Sequence, residues 1–248
     1  NYNRDVEIFP VLRRMMENIQ GESPYQSPTD MGVNMVGFCI EDDETVREAA
    51  KREILRRYYS VLVDNVRHGT GEKYIEKMEL LMQQAGVTPE INPVISRALE
   101  LEKATGAPAA AMMMPDGTIV TGKTSELLGC SSALLLNSLK YLAGIDKDTD
   151  IISRAALKPI CDVKLRYLHH HNPRLHSDEV LIALTMSASR NEDAKRALDC
   201  VDLLRKCEAH FSVIPSAVDE KLYKTLGILL SCEPKFSKKT LHIPEIHA

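Results

Sequence analysis

Apolar residues recur at helical spacing through most of the first hundred positions. Behind an acidic start, Glu41-Asp42-Asp43-Glu44, the residues Val46, Ala50, Ile54, Tyr58, Val61 and Leu62 share one helical face as far as about Val66. The same period predicts helices from Asp5 to about Ile19, with Pro10 near its start, and from Glu72 to Ala85, with Ile75, Met78, Leu81 and Met82 inward. Thr88-Pro89 and Asn92-Pro93 are cap-plus-first-position pairs that open another helix ending near Thr105. Between the first two helices, residues 23–37 carry Pro24, Pro28, Gly32 and Gly37 yet keep Met31, Val33, Met35 and Val36. That mixture is too irregular for a helix and too apolar for a disordered linker, and predicts a packed loop.

From Ala107 the period changes. Ala109 to Met114 and Thr118 to Thr121 read as strands joined by Pro115-Asp116-Gly117, a strong hairpin signal. Ser131 to Ala143 is an apolar helix, Pro159 opens a helix toward His171, and Ser177 is the candidate N-cap for a helix over Val180 to Ser189. Ala194 to Leu204 predicts a further helix. Glu208 to Ile214 alternates as a strand, Pro215-Ser216 leads into a helix, and Ile228 to Ser231 is a last buried strand. The expected class is therefore α/β (α+β): a helical segment over 1–106, a three-layer α/β unit over 107–233 and a basic tail over 234–248. The order of elements is similar to the cytidine-deaminase-like fold. Its zinc motif is missing: a deaminase needs H-x-E or C-x-E on the first buried helix and P-C-x-x-C on a later one. Here Cys130-Ser131-Ser132 has no glutamate and no C-x-x-C occurs, so no metal and no zinc are expected.

Composition narrows the function classes. Tryptophan is absent and aromatics are 5%, which argues against an aromatic-lined sugar or single-strand groove, and a net charge of −4 gives no basic footprint for nucleic acid. The six cysteines form no close pairs and read as free thiols of a cytoplasmic protein, and no apolar run is long enough for a membrane span. The first residue is Asn1 rather than Met, as expected of a fragment or a processed product.

Candidate chemistry gathers in three stretches. Gly117-Thr-Ile-Val-Thr-Gly122-Lys123-Thr124 satisfies the phosphate-loop pattern G-x-x-x-x-G-K-[ST]. Four consecutive β-branched residues favour extension over a curled anion nest, so the hairpin competes with that reading. In either case Lys123, Thr124 and Ser125, with Ser131 and Ser132 nearby, could receive a carboxylate or phosphate; the alternative is a self-capped turn and a solvated lysine. Thr29, Asp30 and Asn34 in the packed loop form the second stretch, Arg174, His176 and Asp178 the third. Arg174 could grip an anion bidentately, His176 could carry a proton, and Asp178 and Asp30 are further catalytic candidates. If all three stretches meet, they form one cleft for a small anionic molecule. His169-His170-His171 point about 100° apart on a helix and cannot all reach one ion. Cys130, before a buried helix, is open to two readings, an activated thiolate or a small core residue.

Four long strings carry a family resemblance: SPTDMGVNMVGFCIEDDE from Ser27, PDGTIVTGKTSELLGCSSALLLNSLKYLAG from Pro115, NPRLHSDEVLIAL from Asn172 and CEAHFSVIPSAVDEKLYKTLGI from Cys207. They resemble the bacterial family catalogued as domain of unknown function 1846. Its proteins are longer, and this chain looks like their C-terminal half, whose missing partner resembles a nucleotide-binding α/β domain. The resemblance implies a bacterial cytosolic origin and leaves the reaction open; the leading expectation is the C-terminal half of a nucleotide-dependent enzyme, transferase or ligase being the candidate types, with any nucleotide held mainly by the family's N-terminal domain. The rival expectation is a non-catalytic assembly module that forms a homo-oligomer.

Overall fold

A computed structural model of the chain describes residues 2–25, 43–170 and 172–237. They fall into two compact units, Asn1–Pro93 and Val94–Ala248.

The first unit is helical: α1 (Tyr2–Gln20), α2 (Asp43–His68), α3 (Glu72–Ala85) and a 3-10 turn at Pro89–Ile91. Helices α2 and α3 pack together; Ala50, Ile54, Met78, Leu81 and Met82 are buried as their spacing predicts, whereas Leu55, Tyr59 and Val63 are the further buried positions of α2 and the expected Tyr58, Val61 and Leu62 are half-buried. Gly86 closes α3, with the Val87 N–H donating to the Met82 carbonyl at 2.8 Å. Arg13 of α1 donates to the Gln84 carbonyl at the end of α3. Pro10 lies well inside α1 rather than at its start.

The second unit contains α4 (Pro93–Thr105), β1 (Ala109–Met113), β2 (Ile119–Lys123), α5 (Cys130–Leu142), α6 (Arg154–Arg166), α7 (Ser177–Ala188), α8 (Glu192–Asp199), β3 (Glu208–Phe211), α9 (Ala217–Thr225) and β4 (Leu229–Cys232). The four strands make one mixed sheet in the order β2-β1-β3-β4. β1 is antiparallel to both neighbours, and β3 is parallel to β4, with α9 as the crossover between them. Period-2 alternation sends Ala111, with Met113 and Ile119, against Val94 and Ala98 of α4. The opposite face, with Ala110, Met112 and Gly122, lies under α5, whose Leu134, Leu135 and Leu139 are fully buried. Small residues on the strands let both helix layers approach closely.

Residues 114–118 form the hairpin turn. The Gly117 N–H donates to the Met114 carbonyl at 2.9 Å, the Met114 N–H donates to the Thr118 carbonyl at 2.8 Å, and Gly117 has φ +85°. Ile119 to Lys123 are therefore strand residues in register with β1, and the phosphate-loop reading gives way to the hairpin. Gly122 has a separate role. A Cβ added there would lie 2.2 Å from the Leu134 nitrogen and 2.6 Å from its Cα, so β2 and α5 touch backbone to backbone at this residue.

Several boundaries differ from the sequence-based expectation. Ser153, not Pro159, starts α6: its side chain accepts from the Ala156 N–H, and Pro159 sits inside the helix. The helix expected over Ala194 to Leu204 stops at Asp199 and tightens to a 3-10 turn over Val201–Leu204. The strand from Glu208 ends at Phe211, where the Ser212 side chain instead accepts from the Ala109 N–H at 2.9 Å. Strand order and layers establish a mixed α/β unit.

Candidate functional site

Chain segments 124–129 and 172–176 lie side by side. Leu128 and Leu175 form a parallel bridge, the Leu175 N–H donates to the Leu127 carbonyl at 2.9 Å, and Ser132 Oγ donates to the Leu175 carbonyl at 2.7 Å. Arg174 Nε donates to the Ser125 carbonyl at 2.7 Å. Two of the three stretches singled out in the sequence thus come together. The third, Thr29, Asp30 and Asn34, lies outside the described residues, as does His171.

The individual residues divide by environment. Lys123 is exposed at the end of β2, and the Thr124 N–H donates to the Pro108 carbonyl at 2.8 Å. Ser125 Oγ accepts from the Leu128 N–H at 3.2 Å in a local turn, and the helix begins only at Cys130, so the Lys123–Ser125 corner is not itself a helix N-terminus. Ser131 and Ser132 are buried; the Ser131 carbonyl accepts from Tyr223 OH at 2.7 Å. Burial, the largest influence on the Cys130 thiol, pushes its pKa up to about 12, with the Asp219 charge acting the same way. It is a protonated core residue at neutral pH, not a thiolate.

A dense polar network surrounds Asp219, on α9. Its Oδ1 accepts from the Ser177 N–H at 2.8 Å and from Ser177 Oγ. Its Oδ2 accepts from Ser216 Oγ at 2.7 Å and lies 3.2 Å from His176 Nδ1. Ser216 caps α9 by accepting from the Asp219 N–H at 3.2 Å. Asp219 therefore stands in the first turn of one helix and against the first N–H of another, where both dipoles favour its charge. Burial works against that charge, but the bonds from His176, Ser177 and Ser216 outweigh it and hold the carboxyl far below its usual range.

His176, rather than the expected Ser177, occupies the cap position of α7, and Ser177 is the first helical residue. The exchange follows from Asp219, which reaches the Ser177 N–H from another helix. The bond to Asp219 raises the His176 pKa above its ordinary value against the opposing effect of burial. The ring is 26% exposed, and Nε2 has no hydrogen-bond partner among the described residues. From behind, Lys164 of α6 braces the segment: its buried ammonium donates to the Arg174 carbonyl and to Glu179 Oε2, both at 2.7 Å, and the same Glu179 oxygen accepts from the His176 N–H at 2.8 Å. Asp178 accepts locally from the Glu179 N–H at 2.8 Å.

Sequence reasoning overlooked Asp219, Ser216, Lys164 and Glu179. Ser216-Ala-Val-Asp219 does have the spacing of a helix-start capping pair, which was a readable signal for the local bond. Nothing local reveals the reach to Ser177, 42 residues away. Among the described residues no three His, Cys, Asp or Glu side chains are grouped to hold a metal ion, and no helix is long and apolar enough to cross a membrane.

Comparison with known proteins gives consistent matches. Residues 90–242 match the family model described as domain of unknown function DUF1846, C-terminal, and residues 1–86 match its N-terminal counterpart. The chain is 52% identical to a UPF0371 protein of Corynebacterium efficiens over 242 residues, covering 98% of this chain and 49% of the relative. A UPF0371 protein of Corynebacterium urealyticum is 50% identical and one of Streptococcus thermophilus 49% identical, with the same coverage. The chain thus spans about half the length of the curated relatives it matches. The expectation of a C-terminal half alone is corrected by the match of residues 1–86 to the N-terminal model.

Proposed function

We propose that this chain, which belongs to the family described as domain of unknown function 1846, contributes an acid-base site for a small anionic substrate to a larger cytoplasmic enzyme. One observation carries the reading. The imidazole of His176 is fixed through Nδ1 by a buried carboxylate and leaves Nε2 unengaged, the orientation that a proton-transferring histidine needs. The bond to Asp219 raises the His176 pKa, which stabilises the protonated ring relative to a free histidine and suits it to act as an acid or oxyanion partner. The terminal nitrogens of Arg174, half-buried two residues away, have no partner among the described residues and supply a fork for a carboxylate or phosphate.

The expected cytidine-deaminase-like connection belongs to this proposal. The two helix starts that hold zinc in such enzymes correspond here to Cys130-Ser131-Ser132 and Pro215-Ser216-Ala-Val-Asp219. Serine and aspartate stand where the later motif has its two cysteines, and they engage His176 instead. Nucleotide-dependent transfer or ligation, with the nucleotide bound by the part of the relatives that this chain does not span, completes the reading.

Titration with inorganic phosphate, acetate and a panel of phosphorylated and carboxylated metabolites, followed at the His176 ring by NMR, tests the site. At least one anion is expected to shift the ring resonance saturably, and Arg174→Gln to weaken that binding about tenfold. No saturable shift across the panel contradicts the proposal.

A second reading, a non-catalytic assembly module, draws on α1. Ile8, Val11, Met15 and Ile19 form a helical stripe that is 43 to 74% exposed. Under that reading light scattering gives a stable homo-oligomer that Met15→Glu with Ile19→Glu dissociates; under the enzyme reading the double variant leaves the mass unchanged.

A further inference from the structure

A pocket of about 470 Å³ opens beside α5, between the turn over 125–128 and the loop over 145–153. Its size is that of a site for a small organic molecule. Leu128, Leu136, Ile151 and Ile152 give it an apolar wall. Lys140, Lys147 and Arg154 line it with the carboxylate of Asp150; Arg154 pairs with Glu126 at 2.8 Å, which leaves Lys140 and Lys147 as the lining cations outside any side-chain ion pair among the described residues. Ser125 lines it too, while its carbonyl receives Arg174, so the 125–128 turn takes part in both this pocket and the His176 segment.

Lys140 gives the pocket its chemical character. The residue is only 7% exposed, in a helix otherwise buried by leucines, and its ammonium donates to the Lys147 carbonyl. No carboxylate lies within ion-pair distance of it among the described residues. Burial, the largest influence, lowers its pKa, while the charges of Asp150, Asp146 and Asp148 oppose that shift. An ammonium with one carbonyl partner has two further N–H donors to offer. A ligand bringing an anionic group to it would supply the missing charge partner and cover the apolar wall at once.

We propose that this pocket binds a small organic oxyanion with a short apolar body, a carboxylate or a phosphate monoester, anchored by Lys140. The site shares the 125–128 turn with the His176 segment, and the proposal holds whether or not the His176 network is catalytic. Calorimetric titration of the protein with hexanoate, hexyl phosphate and hexanol tests it. One of the two anions is expected to saturate a single site, the tighter one identifying the head group, and hexanol to bind at least about tenfold more weakly. Lys140→Met is expected to reduce anion affinity by about tenfold or more, the loss of one charge-assisted contact. Should that variant not fold, the exposed pair Lys147→Ala with Arg154→Ala is expected to weaken binding several-fold. Absence of saturable binding by both anions, equal binding of hexanol, or unchanged affinity in the folded variants overturns the proposal.

Discussion

Gly122→Ala is expected to destabilise the protein by about 3 kcal/mol or more, at the upper end of the range for overpacked cores. The added methyl would fall inside the backbone of α5, 2.2 Å from the Leu134 nitrogen, and no side chain can rotate away to relieve the contact. Either β2 or α5 must move, and both belong to the central layers of the second unit. Gly129→Ala is the matched control: its new Cβ would come no nearer than 3.6 Å to any atom, so its cost is that of a changed helix cap, about 1 kcal/mol at most. Lys123→Ala, at an exposed strand end, is expected to stay within about 0.5 kcal/mol of the parent. Urea unfolding midpoints separate these outcomes. Near-equal midpoints for Gly122→Ala and Gly129→Ala would mean that β2 and α5 are not in backbone contact.

Asp219→Ala is expected to cost about 3 to 5 kcal/mol, the range for removing one partner of a buried charged pair. It strips the Ser177 N–H of its acceptor, leaves two buried or half-buried hydroxyls without the carboxylate and leaves His176 Nδ1 without its carboxylate partner. The pH dependence carries a signature of its own. Asp219 is held below its unfolded value of about 3.9, so its contribution is complete above that pH and is lost as pH falls through the folded value. His176 is held above its unfolded value of about 6.5, so its contribution is complete below that pH and is lost as pH rises through the folded value. Between about pH 4 and 6.5 both are therefore present. Thermal melts across pH are expected to show the parent losing stability on either side of this window and Asp219→Ala lacking both of these contributions.

Much of the architecture was legible because it is periodic. The helices α2, α3 and α5 follow from spacing alone, and Pro115-Asp116-Gly117 announces the hairpin. Four β-branched residues at 118–121 correctly weighed against a letter-perfect phosphate-loop match, because side-chain stiffness acts wherever the chain goes whereas a motif acts only in its own context. What the sequence concealed is contact between distant segments. Gly122 reads as a loop glycine until α5 is laid across it. Arg174 and Ser125, 49 residues apart, were both singled out, and their meeting depends on the Leu128 and Leu175 bridge. Asp219 stands in the first turn of its own helix, and its importance comes from helix α7 starting within reach of it. Two ends were misplaced where a side chain took over a backbone hydrogen bond, Ser153 at α6 and Ser212 at the end of β3.

Whether Asp219 fixes the His176 ring and raises its pKa is read by titrating the His176 ring nitrogens in long-range 1H-15N NMR spectra of the parent and of Asp219→Asn. A His176 pKa above that of free histidine is expected in the parent, with Nδ1 hydrogen-bonded, and a fall toward or below the ordinary value in Asp219→Asn. An ordinary pKa in the parent, unchanged by Asp219→Asn, would contradict this role of Asp219.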